Sequence, residues 1–170
     1  MRKRPAFTLI ELLFVMAVIG LLVGLLFPSL QRAKAVARRA MCAKNLQNVG
    51  VSMRMYLDDS GDIMPVAAGL PSAHLNDWPR IADVLAPYMN GPDSLKCPGD
   101  TEKEFFSTEG SSYEYAAFLG GRKVTQSFLT QKWGEWKTPV MYDYEPFHGP
   151  AGQLGSANFL FADSHVGDLE

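Results

Sequence analysis

From Phe7 to Leu30 the chain carries one charged side chain, Glu11, in twenty-four residues that are otherwise almost entirely apolar. As a helix that run spans about 36 Å, more than the roughly 30 Å of a bilayer's hydrocarbon core. Few folds accept such a segment, and a membrane-crossing helix is the one its length predicts. A carboxylate deep in that environment costs about 2.5 kcal/mol or more. A secretory signal peptide would have a shorter apolar core, about 7–15 residues. A small-x-small site downstream, Ala33-Lys34-Ala35, lies within a basic stretch. A plain anchor explains the length of the run but not an acid five positions into it.

Beyond Pro28 the helical pattern resumes and is expected to run to about Asp58. Cys42, Leu46, Val49, Met53 and Tyr56 recur at spacings of four and three, which places them on one helical face. That stripe begins near Cys42, so only the last four turns are expected to carry a folded head. Asp58-Asp59-Ser60-Gly61 with Pro65 reads as a stop. From residue 62 onward glycine and proline are dense and the periodic segments are short. Ile81–Met89 reads as a small helix, and Ser112–Phe118, Val140–Tyr144, Asn158–Ala162 and His165–Leu169 read as strands. The fold class is therefore α+β, with a small antiparallel sheet laid on a long N-terminal helix. The segments are a basic leader at 1–6, a transmembrane helix at 7–30, its amphipathic continuation at 31–57 and a head at 58–170.

Charge follows the same division. Residues 1–56 hold nine basic side chains and one acid, giving +8, while 57–170 hold seven basic and seventeen acidic ones, giving −10. Opposite signs suit attraction between subunits or two solvated surfaces, and an acidic head argues against nucleic acid as a partner. No nucleophile elbow, phosphate loop or pair of catalytic carboxylates is present, so the chain is not expected to be an enzyme.

Arg2-Lys3-Arg4 followed by Ala6-Phe7-Thr8-Leu9-Ile10-Glu11-Leu12-Leu13 resembles the processing site of type IV prepilins and type II secretion pseudopilins. The resemblance implies a pilin-like fold, cleavage between Ala6 and Phe7 by a prepilin peptidase, and methylation of the new Phe7 amine. It departs in Ala6, where the family usually has glycine. It also implies that Glu11 pairs with the amine of a neighbouring subunit during assembly. The implied partners are other pilin or pseudopilin subunits, inner-membrane assembly machinery and membrane lipid, with no cofactor required. Basic residues flank both ends of the apolar run, so charge alone leaves orientation open. The resemblance puts the N-terminus in the bacterial cytoplasm and the head outside the inner membrane, in the periplasm. Arg39-Ala40-Met41-Cys42-Ala43-Lys44-Asn45-Leu46 and Leu95-Lys96-Cys97-Pro98 are similar to one large prepilin-like subgroup. So is the tail from His148 to Asp163-Ser164, although fourteen residues separate its histidine and aspartate, more than the subgroup uses. That subgroup has Asp-Gly where this chain has Asp163-Ser164, and serine tolerates the positive φ of a tight hairpin less well.

Further candidates sit in the head. An extracytoplasmic head permits a Cys42–Cys97 disulfide, which would close a loop of roughly 55 residues and stabilise by about 4 kcal/mol. Two unpaired buried thiols are the alternative. Asp143, His148, Asp163 and His165 could hold a divalent cation such as zinc or manganese. Equally, Asp163 could cap a turn and the histidines make ordinary hydrogen bonds. Asp58-Asp59-Ser60-Gly61-Asp62 lacks the alternating ligands of a calcium loop. Trp78, Trp133 and Trp136 are expected in the core, with a carbohydrate platform as the other reading. The competing class is thus a membrane-anchored glycan- or metal-binding protein that uses a prepilin-type export signal.

Overall fold

A computed structural model describes residues 8–73 and 77–169; Ala6 and Phe7, the expected cleavage pair, lie outside them. The chain divides into two compact units, Met1–Ala37 and Arg38–Glu170, and helix α1, Leu9–Ser60, contributes to both.

In the first unit the helix opens on a reciprocal cap. The Thr8 N–H donates to Glu11 Oε2 at 2.8 Å, and the Glu11 N–H donates to Thr8 Oγ1 at 3.3 Å. The Thr8 hydroxyl also donates to Glu11 Oε2 at 2.7 Å. Thr8-Leu9-Ile10-Glu11 is thus a capping box, satisfying amide donors that a helix start leaves free. Along the following turns the large apolar side chains are exposed, Leu9 by 81% and Leu22 by 60%. Pro28 lies inside the helix, where its missing N–H leaves the Gly24 carbonyl without its usual donor. The Ser29 hydroxyl bonds the Leu26 carbonyl at 2.8 Å.

In the second unit α1 buries Cys42, Leu46, Val49, Gly50, Ser52, Met53 and Leu57. The predicted stripe is present, with Tyr56 partly buried at its end. The helix stops through a glycine-type C-cap: Gly61 has φ +69°, Asp62 has φ +65°, and the Asp62 N–H donates to the Leu57 carbonyl at 2.8 Å.

The strands are β1 Tyr113–Tyr115, β2 Pro139–Asp143, β3 Phe159–Phe161 and β4 Val166–Gly167. They form one antiparallel sheet in the order β1-β2-β3-β4. β1, β3 and β4 lie within segments predicted as strands, β2 begins one residue before its predicted segment Val140–Tyr144, and the α+β reading holds. The sheet meets α1 closely: a Cβ placed on Gly50 would come within 2.9 Å of Leu160 Cδ1 on β3. Leu46, Val49, Leu119, Met141 and Leu160 share this core. Buried tyrosines anchor it as well, because their hydroxyls find carbonyls: Tyr113 bonds Cys42 O at 3.2 Å and Tyr115 bonds Pro65 O at 2.8 Å.

Helix α2, Ile81–Leu85, continues as a 3₁₀ turn to Tyr88, matching the predicted Ile81–Met89 segment. Helices α3, Phe105–Glu109, and α4, Phe128–Trp133, were not foreseen. Buried Asp100 organises α3, accepting the N–H groups of Phe105 and Phe106 and the Ser112 hydroxyl at 2.7–3.1 Å. The expectation that the tryptophans are core is overturned: Trp78, Trp133 and Trp136 are 45–55% exposed. None of them sits on a strand, so the sheet does not draw them inward.

Candidate functional site

Among the described residues, two places concentrate chemistry. The first is the N-terminal turn, where one carboxylate stands at the head of an apolar helix. Glu11 is held against Thr8 by the bonds described above, so its position in the first turn is fixed by local structure before any partner is considered. Sequence reading gave Glu11 an assembly role and overlooked the Thr-x-x-Glu spacing that signals the cap.

The second is buried in the head. Cys42 comes from α1 and Cys97 from the loop before Asp100. Asp143 ends β2, and His148 follows it in the next loop. Each offers one ligand atom, and the four atoms all lie within 4.8 Å of one another. The Cys42 thiol donates to Asp143 Oδ1 at 3.2 Å. Cys97 Sγ lies 3.4 Å from His148 Nε2, which lies 3.5 Å from Asp143 Oδ2. Both cysteines are fully buried, and the Asp143 and His148 side chains are 0% and 2% exposed.

Surrounding groups orient these atoms. Asp143 Oδ2 accepts the Asn158 N–H at 2.7 Å and the Asn158 Nδ2 at 3.1 Å. Cys97 Sγ accepts the Gly99 N–H at 3.3 Å within the Cys97-Pro98-Gly99 turn. Tyr113 Oη lies 3.3 Å from Cys42 Sγ. Strand register sets this up, since Tyr113 on β1 pairs with Asp143 on β2.

The electrostatics separate the two thiols. Cys97 is lowered to about 5, first by the neighbouring Cys42 thiol and then by His148 and Gly99. Cys42 is pushed strongly upward by its neighbour Cys97, then by burial and by Asp143. Burial, followed by the charge on Cys97, raises Asp143 to about 6. The pocket therefore favours a thiolate on Cys97 over one on Cys42, and makes Asp143 easier to protonate than a free aspartate.

Two sequence expectations change here. The cysteines are adjacent free thiols in this structure, not a disulfide. The expected ligand set Asp143, His148, Asp163 and His165 also divides. Asp143 and His148 join the cysteines, while Asp163 and His165 bond each other in the β3–β4 hairpin. There Asp163 Oδ1 accepts the His165 N–H at 3.1 Å and lies 2.6 Å from His165 Nδ1. The loop Ala162-Asp163-Ser164 is a turn closed by the Ser164 N–H on the Phe161 carbonyl, followed by Ser164 at φ +72°. A three-residue hairpin loop needs a left-handed residue at that point, which Ser164 supplies, while Asp163 caps the turn by accepting the His165 N–H.

A surface groove of about 610 Å³ is lined by Leu129, Trp133, Trp136, Phe161 and His165. Lys132 and Lys137 lie over the Trp133 and Trp136 rings at 4.9 and 4.6 Å.

No curated protein and no solved structure matches the chain. Residues 1–27 match the family model of the prokaryotic N-terminal methylation motif, which covers the basic leader, Ala6-Phe7, the capping box and most of the apolar run. Those 27 of 170 residues identify a prokaryotic N-terminal methylation motif at the start of the chain.

Proposed function

We propose that the chain is a structural, non-enzymatic subunit of a pilus-like filament, with a type II secretion pseudopilus preferred over a type IV pilus. A prepilin peptidase cuts between Ala6 and Phe7, the Phe7 amine is methylated, and the apolar helix holds the subunit in the bacterial inner membrane. Its head then faces the periplasm until assembly machinery adds the subunit to a growing helical bundle with other subunits. One observation supports this above the rest: the methylation-motif match falls on a helix whose apolar side chains are exposed all round and whose first turn bears a lone carboxylate. That helix is long and apolar enough to cross a membrane. A carboxylate in lipid is stabilised by a positive partner, and the amine freed by cleavage provides one. Such an ion pair contributes specificity more reliably than net stability. The compact head, without adhesive repeats, favours the pseudopilus.

Mass spectrometry of the chain from cells with and without prepilin peptidase tests the reading. A methylated Phe7 N-terminus is expected only when the peptidase is present; an intact Met1, or a cut near Ala35, overturns it. Glu11→Ala should insert normally into the membrane and fail to enter filaments.

A second reading draws on the groove of exposed Trp133 and Trp136: a membrane-anchored glycan-binding protein that uses the same export signal. It requires that the chain bind an oligosaccharide, that Trp136→Ala abolish the binding, and that Glu11→Ala change nothing in the cell.

A further inference from the structure

We propose that Cys42, Cys97, Asp143 and His148 form a tetrahedral zinc site in the head, independent of whether the chain polymerises. The donor set comes first. Two thiols with an imidazole suit zinc far better than calcium or magnesium, which take oxygen ligands, and a carboxylate is an acceptable fourth ligand. The spacing comes second. Zn–S bonds of about 2.3 Å and Zn–N or Zn–O bonds of about 2.0–2.2 Å place neighbouring ligand atoms of a tetrahedron roughly 3.3–3.8 Å apart. Cys42 Sγ to Asp143 Oδ1 and Cys97 Sγ to His148 Nε2 stand at 3.2 and 3.4 Å, close to that range, and one ligand atom from each of the four residues fits within 4.8 Å of the others.

Burial is the third argument. A carboxylate removed from water, as that of Asp143 is, remains expensive unless a positive charge compensates it. A dication does so by binding the deprotonated forms. A Cys42–Cys97 disulfide would account for the sulfurs alone, leaving Asp143 and His148 buried beside an apolar bridge. The outer partners also suit a metal site. Asn158 fixes Asp143 through Oδ2 while Oδ1 faces Cys42, and the Gly99 N–H supports a thiolate on Cys97. Zinc here would join α1, the Cys97 loop and the end of β2, three segments far apart in sequence.

The test uses the purified full chain in detergent micelles under reducing conditions. Elemental analysis after zinc loading and dialysis is expected to give about one zinc per chain. Replacing zinc with cobalt(II) is expected to give the intense visible bands of a tetrahedral ion and a thiolate charge-transfer band. Both cysteines should resist alkylation until a chelator is added. Cys97→Ser and His148→Ala should each abolish stoichiometric binding. Asn158→Ala, which touches only an outer partner, should weaken zinc by about 10–100-fold. If the variants fail to fold, the cobalt spectrum of the unaltered chain still decides. A reduced chain that binds no zinc, bound cobalt without thiolate bands, or a Cys42–Cys97 disulfide in chain isolated from cell envelopes would each overturn the proposal.

Discussion

Leu22 and Leu46 are the same residue in the same helix, yet one is 60% exposed and the other fully buried. The contrast holds for the two units as wholes. In the first, the large apolar side chains of the helix point outward in every direction. A contiguous apolar surface of that extent marks a membrane or partner interface, because soluble proteins rarely expose patches beyond a few hundred Å². In the second, α1 turns one stripe inward and β2 and β3 cover it. Helix formation is common to both units; what differs is the solvent each sequence is written for.

The largest test of that contrast is a pair of truncations. Leu46→Ala should destabilise the head by about 2–5 kcal/mol, as buried leucine deletions do. Leu22→Ala should leave head stability unchanged, with both read by denaturant unfolding of the tryptophan fluorescence in micelles. Equal effects would dissolve the distinction. Tyr115→Phe comes next, since it strips the buried Pro65 carbonyl of its donor. A loss of about 1–2 kcal/mol is expected in the same assay.

Thr8→Ala acts on the other side of the comparison. Removing the cap should cost about 1 kcal/mol locally, seen as roughly fivefold faster amide exchange in residues 9–12 with no change in the head's melting temperature. A coupled shift in the head would show that the units are not independent. The smallest effect is a gain. Ser164 holds φ +72°, a region where side chains cost about 1–2 kcal/mol that glycine avoids, less glycine's extra entropy loss. Ser164→Gly should stabilise the head by about 0.5–1 kcal/mol, and a loss would mean that the hydroxyl matters more than the turn.

The two units also differ in how openly their sequences speak. Membrane insertion depends on length and polarity along a line, so the Phe7–Leu30 run could be read directly. The helical stripe from Cys42 and the four strand segments were legible for a related reason: their apolar periods are local. The buried cluster was only half legible. Asp143 and His148 were singled out together, and so were Cys42 and Cys97, but as two separate proposals. Joining the pairs requires that β1 and β2 align Tyr113 with Asp143 while Tyr113 reaches the Cys42 carbonyl. That alignment belongs to tertiary structure and leaves no sequence period. The tryptophans misled for the opposite reason. Their bulk argues for burial, yet Trp133 ends the short helix α4 and Trp136 lies in the next 3₁₀ turn, where both line a surface groove beside Phe161 and stay about half exposed.

The near-contact between Gly50 and Leu160 bears on how this chain can drift. A methyl at position 50 needs space that the leucine on β3 occupies, so the two positions, far apart in sequence, behave as one unit of variation. Substitution at either narrows what the other tolerates: Gly50→Ala alone should be penalised, and Leu160→Val should recover part of the loss. Among relatives of this chain a larger residue at 50 should travel with a smaller one at 160.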